Sequence, residues 1–144
     1  MFTGRRGRSV ATDDRGISMG IMSGITGNAG PLGLGEAHDE FGRLLGPGEQ
    51  IFAAFEFVRD AMLFTNGRLI LVDKQGVTGR KVEYHSIPYR SISHFAVQTA
   101  GHLDTDAELF IWIADAKDPI EKEFNRSVDI YQVQAILSAF VVPR

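Results

Sequence analysis

The stretch whose reading decides the fold is Thr65–Lys81, TNGRLILVDKQGVTGRK. It sets one apolar run between two glycine-bearing turn signals, and the second, GVTGRK at Gly76–Lys81, ends in two cations. A phosphate-cradling loop needs the spacing G-x-x-x-x-G-K-[ST] between a strand and a helix. Only then do backbone amides and a helix N-terminus converge on the phosphates. GVTGRK is too short, lacks the final Ser or Thr, and is flanked by strand-like segments on both sides. Gly33 and Gly35 fail as a dinucleotide fingerprint because no strand precedes them. The stretch therefore reads as β-hairpin. Asn66-Gly67 predicts a type I′ turn, because both residue types tolerate positive φ, and Gln75–Gly79 predicts the next turn.

Working outward, the hydrophobic period stays at 2 over seven segments: Ile51–Asp60, Asp60–Thr65, Arg68–Lys74, Arg80–Tyr89, Arg90–Ala100, Ala107–Ala114 and Pro119–Asn125. Short strands joined by short turns mark a sandwich or barrel. The period changes to helical at both ends. Glu36–Leu45 places Ala37, Phe41, Leu44 and Leu45 on one side, and the glycines of Gly46–Gly48 end it. Near the C-terminus, Ser127 is an N-cap residue type. Val128–Val141 follows, with Ile130, Val133, Ile136, Leu137 and Phe140 in one stripe.

The 144 residues suit one domain, with enough chain to bury a core unaided. Residues 1–18 have no hydrophobic period and read as a disordered Arg/Gly-rich tail; 19–144 read as the domain. Within it, 19–50 are an arm and helix, 51–126 the seven strands and 127–142 the C-terminal helix. The arm carries Ile21, Met22, Ile25, Leu32 and Leu34 with no evident home in its own chain, which makes these five the candidate oligomer interface. Ile51–Phe57 and Phe110–Ile113 are apolar on both faces, which points the same way, to cover by a partner.

There is no cysteine, so thiolate chemistry and disulfides are excluded. Arg5, Arg6 and Arg8 resemble the start of a secretory leader, but Asp13, Asp14 and Arg15 interrupt it. No apolar run approaches the ~20 residues of a membrane span. These features fit a cytoplasmic protein. The net charge is −3; the first 19 residues, with four Arg and two Asp, are +2, so the remainder is −5. An acidic body argues against nucleic acid and anionic membranes as partners.

The segment LFTNGRLILVDKQGVTGRKVEYHSIPYRSISHFAVQTAGHLDTDAELFIWIA, followed by PIEKEF, resembles the bacterial pleckstrin homology (PH)-like family, formerly a domain of unknown function. The similarity is carried by LVDKQGVTG, YHSIPYRSI and TAGHLDTDAEL, and it covers about residues 20 to 142. The resemblance implies a mainly β fold with α: a seven-stranded antiparallel sandwich or partly open barrel capped by a C-terminal helix, with a short N-terminal helix. It also implies ring-like homo-oligomers, and it implies no enzyme.

Phosphoinositide-binding PH domains cluster cations on the first strand–strand loop, because several phosphates need several cations. Here that loop offers Arg59 beside Asp60. Arg80, Lys81 and Arg90 form a weaker anion-binding candidate. Asp104, Asp106 and Glu108 alternate as a possible hard-metal face. His38, His85, His94 and His102 match no ligand spacing, although His85 and His94 are expected on adjacent strands. Tyr84, Tyr89 and Trp112 are expected in the core. The sequence thus predicts a non-enzymatic protein with no cofactor. It is a homo-oligomeric scaffold or protein-interaction module, its partner another copy of itself in a cyclic assembly or an unidentified protein. A peripheral membrane or lipid-binding adaptor is the alternative.

Overall fold

Seven of the eight strands fall where the period-2 segments lie. The computed structural model describes residues 30–101 and 106–143. A two-residue strand β1 (Gly30–Pro31) leads into helix α1 (Leu34–Phe41) and a 3-10 turn (Gly42–Leu44). Strands β2 (Ile51–Glu56), β3 (Ala61–Thr65), β4 (Arg68–Gln75) and β5 (Lys81–Pro88) follow. A second 3-10 turn (Tyr89–Ser91) leads to β6 (Ile92–Gln98), β7 (Ala107–Ile113), β8 (Ile120–Phe124) and helix α2 (Ile130–Val141). The tail at 1–18 and the interface candidates Ile21, Met22 and Ile25 lie outside the described residues.

The strands form two antiparallel sheets, β1-β2-β3-β4-β5 and β6-β7-β8, packed as an open sandwich. Alternation sorts the side chains. Phe55, Met62, Phe64 and Leu69 point from the first sheet toward Leu109, Ile111 and Phe124 of the second. The Phe124 ring meets Phe55 edge-on at 5.2 Å. α2 closes this core with the expected stripe: Ile130, Val133, Ile136 and Leu137 are buried, and Phe140 stacks on Tyr89 at 4.6 Å. Its N-cap is Asp129, whose carboxylate accepts from the Tyr131 amide, and not Ser127, whose amide and hydroxyl both bond Asn125.

The opposite face of the first sheet has its own buried cluster: Ala54, Ala61, Leu63, Ile70 and Val72 lie under Leu32, Ala37 and Phe41. This corrects the reading of Ile51–Phe57. Both its faces are apolar because one meets the second sheet and the other meets α1 of the same chain. Leu32 is 6% exposed and its amide donates to the Ala54 carbonyl at 3.0 Å. Leu34 packs against the inter-sheet core. Both residues therefore have homes within the chain.

The Asn66-Gly67 turn also departs from expectation. The described glycines at positive φ are Gly48, Gly76 and Gly79; Ala114 is the non-glycine residue there, and neither Asn66 nor Gly67 belongs to the group. Side chains select a different turn. The Thr65 hydroxyl accepts from the amides of Gly67 (3.0 Å) and Arg68 (2.9 Å). Asn66 is held by the Gln50 amide and donates to the Gly48 carbonyl. Together these hydrogen bonds outweigh the bare turn propensity. Gly67→Ala should accordingly change stability by no more than about 0.5 kcal/mol. Gly76→Ala, at φ +77, should cost about 1 kcal/mol. Urea unfolding of the two variants checks the pair; equal losses would refute the assignment.

Candidate functional site

The loop after β2 is where a phosphate clamp would sit in a PH-type sandwich. Its Arg59 guanidinium donates to the Gly76 carbonyl at 2.6 Å. The Asp60 carboxylate accepts from the Lys74 amide at 3.1 Å. Both charged groups tie this loop to the β4–β5 hairpin. The other cations do not assemble either. Lys81 begins β5 and Arg90 lies beyond its end, about 25–30 Å along an extended chain. The expected group of Arg80, Lys81 and Arg90 is therefore not one site; Arg80 and Lys81 share a hairpin and Arg90 stands at a corner.

That corner explains a second correction. Pro88 and the 3-10 turn Tyr89–Ser91 carry the chain from one sheet to the other. His85 pairs with Leu71 and His94 with Trp112, so the two histidines belong to different sheets. His102 and Asp104 lie outside the described residues. Among those described, no three His, Asp or Glu side chains could hold a metal ion. Tyr89 is buried, and its hydroxyl donates to the Thr65 carbonyl at 2.6 Å; burial pushes its pKa upward. Tyr84, by contrast, is 46% exposed, and Trp112 lies on the outer side of the second sheet. Neither joins the buried core.

One polar cluster is built with precision. The Arg68 Nε donates to Glu49 Oε2 at 2.9 Å and its Nη2 to Oε1 at 3.0 Å. The same guanidinium reaches the Leu44 carbonyl at 2.7 Å and the Ser86 hydroxyl at 2.7 Å. Glu49 also accepts from the Thr65 hydroxyl (2.6 Å) and the Gly46 amide (2.9 Å). These bonds, the Arg68 guanidinium foremost, hold the Glu49 carboxyl at about 2 against its ordinary 4.5, although burial opposes them. Every polar atom of the pair is engaged by the protein itself. The cluster is a clasp between the turn after α1 and the β3–β4 hairpin, not a ligand site. On the outer face of the first sheet, burial and the nearby Glu40 and Glu36 raise the Glu56 carboxyl.

Among the described residues, no helix or strand covers the outer face of β6-β7-β8. Registration places His94, Ala96 and Gln98 beside Trp112, Phe110 and Glu108, which lie beside Glu121 and Glu123. Phe110 and Trp112 are half-buried and belong to neither buried cluster. His94 is exposed and stacks on Trp112, with ring centroids 4.3 Å apart and planes at 16°. Phe110 lies 6.3 Å from Trp112. The alternation of Glu108, Phe110 and Trp112 was visible in the sequence. Their shared face with Glu121 and Glu123 was not, because it depends on cross-strand register.

The sequence model of the family described as "Bacterial PH domain" matches residues 20–141. The chain is similar to the uncharacterized protein YjqA of Bacillus subtilis (strain 168), at 49% identity over 122 residues, 84% of this chain and 98% of that protein. It is also similar to the uncharacterized protein YozO of the same organism, at 35% identity over 95 residues, 66% of this chain and 81% of that protein. Among solved structures, a DUF1696 family protein with a pleckstrin-homology domain from Shewanella loihica PV-4 shares 48% identity. That match has a TM-score of 0.73 and covers 81% of this chain and 99% of that one. A pleckstrin homology domain from Shewanella amazonensis SB2B shares 45% identity with a TM-score of 0.64, covering 83% and 96%.

Proposed function

We propose, from the premise that this chain belongs to the bacterial PH domain family, that it is a non-enzymatic scaffold or protein-interaction module that assembles with copies of itself. The observation that carries the interaction-module half of this reading is the unequal cover of its two sheets. α1 covers the first sheet's outer face over β2, β3 and β4 and leaves Tyr84 of β5 exposed. The second sheet's outer face presents Phe110 and Trp112 with no described element upon it. Half-covered aromatics on a flat sheet are typical of protein–protein contact surfaces. Self-assembly has a separate surface: among the described strands, β5, eight residues long, is the last of its sheet and pairs on one side only, which leaves an edge for strand pairing between copies.

The lipid-adaptor alternative has less support. The one arginine of the first strand–strand loop, Arg59, is engaged with Gly76, and the remaining cations are dispersed. Among the described residues no helix is long and apolar enough to cross a membrane. The cysteine-free composition fits a cytoplasmic setting.

Light scattering at micromolar concentration tests the assembly. The expected mass is several times the 15.8 kDa of one chain. A clean monomer across a dilution series would remove self-assembly from the proposal.

A further inference from the structure

We infer that the outer face of β6-β7-β8 docks an extended, arginine- or lysine-bearing segment of a partner protein. The inference rests on the interaction-module reading and supplies the chemistry of its partner.

Directly opposed residues of an antiparallel pair share a face. Glu108 therefore stands across from Glu123, and Phe110 across from Glu121. Like charges directly opposite one another destabilise a sheet. Glu108 and Glu123 are such a pair, and no ion pair relieves them among the described residues. The eight outward positions hold three carboxylates and no Lys or Arg. The cation of β8, Lys122, faces the other way, 5.0 Å over the Phe57 ring. Three carboxylates are thus concentrated beside a row of π surfaces, and nothing in the described chain neutralises them.

This combination selects its occupant. A guanidinium stacks on an aromatic ring and forks into a carboxylate, and an ammonium sits over a ring face. Anionic lipid and nucleic acid meet repulsion here. A bare metal ion would leave the rings idle. A second copy offers Arg80 and Lys81 only at the β4–β5 hairpin, where Lys81 already pairs with Gln75, and so brings no free extended basic segment among the described residues. The face is about 10 Å wide and about 14 Å long from strand spacing and rise, enough for four or five extended residues bearing one or two cations.

Trp112 is the chain's one tryptophan, so its emission reports on this face directly. The full chain is titrated with a capped hexa-arginine peptide, and separately with hexaglutamate. A saturable change is expected with the first and none with the second. The midpoint should rise severalfold in 0.5 M salt, about where charge screening acts over only a few ångströms. Glu121→Gln with Glu123→Gln should weaken binding about tenfold or more with unchanged circular dichroism, an effect of about 1.4 kcal/mol. The control pair Glu36→Gln with Asp39→Asn, on α1, removes the same charge elsewhere and should leave the midpoint within about twofold.

Absence of a saturable change overturns the inference, as does equal weakening by the control pair. So does a Trp112 shielded from quencher by another copy. Light scattering on the same samples separates the two readings. A monomer that binds the peptide sinks self-assembly alone; an oligomer that ignores it sinks the docking face alone.

Discussion

Leu32→Asp should destabilise this chain by about 3–5 kcal/mol, through lost apolar burial and an unpaired carboxylate under α1. Leu32 is 6% exposed, in the cluster formed with Ala37, Phe41, Leu63 and Ile70. Its backbone is fixed as well, because its amide bonds the Ala54 carbonyl. A domain of this size has about 5–15 kcal/mol in total, so the variant should unfold at markedly lower urea. Leu32→Met, which nearly conserves volume, should cost less than about 1.5 kcal/mol. The consequence for assembly is direct. Loss of oligomer in Leu32→Asp would report unfolding, not an interface. A near-neutral Leu32→Asp would show that the segment entering α1 leaves the sheet in solution and is free to cover a neighbour.

The same residue shows where sequence reading reached its limit. Strand positions were legible because the period of 2 recurs in seven segments between Ile51 and Asn125 and the turns between them carry Gly, Asn, Asp and Pro. Helix α2 was legible because its stripe is strong; the structure moves its cap by two residues, to Asp129, since both Ser and Asp can serve. What pattern alone leaves open is the identity of the covering surface. A two-faced apolar strand signals that both faces are covered, and it does not say by what. Here the cover for β2 comes from Leu32 and α1, upstream in the same chain. Trp112 shows the converse. Its strand is apolar on both faces, yet the outer one has no described cover. Register decided the rest: the corner at Tyr89–Ser91 separates His85 from His94, and cross-strand pairing brings Glu121 and Glu123 beside Phe110 and Glu108.

Arg68→Met should cost about 2–4 kcal/mol, a fall in melting temperature of about 6–12 °C for a chain of this length. The Arg68 and Glu49 side chains are 28% and 12% exposed, so removing the guanidinium leaves a largely buried carboxylate with only the Thr65 hydroxyl and the Gly46 amide. The Leu44 carbonyl and Ser86 hydroxyl lose a donor in the same step. Glu49→Gln combined with Arg68→Met should cost less than the sum of the single changes, because the two residues act as one unit. The pH dependence identifies the cause. Glu49 is held at about 2 from an ordinary 4.5. A carboxyl depressed in the folded state contributes stability that is complete above its unfolded value and is lost as pH falls through the folded one. The native chain should therefore lose this contribution between about pH 4.5 and 2. In Arg68→Met the principal cause of the depression is gone, so the loss over that window should be smaller. The raised Glu56 carboxyl contributes with the opposite sign, but it is common to both proteins and cancels in their difference. Urea midpoints at pH 7, 4.5 and 3 measure that difference. A gap between native and variant that stays constant across the three would show that Arg68 acts by packing alone, and that the clasp between the α1 turn and the β3–β4 hairpin is not electrostatic.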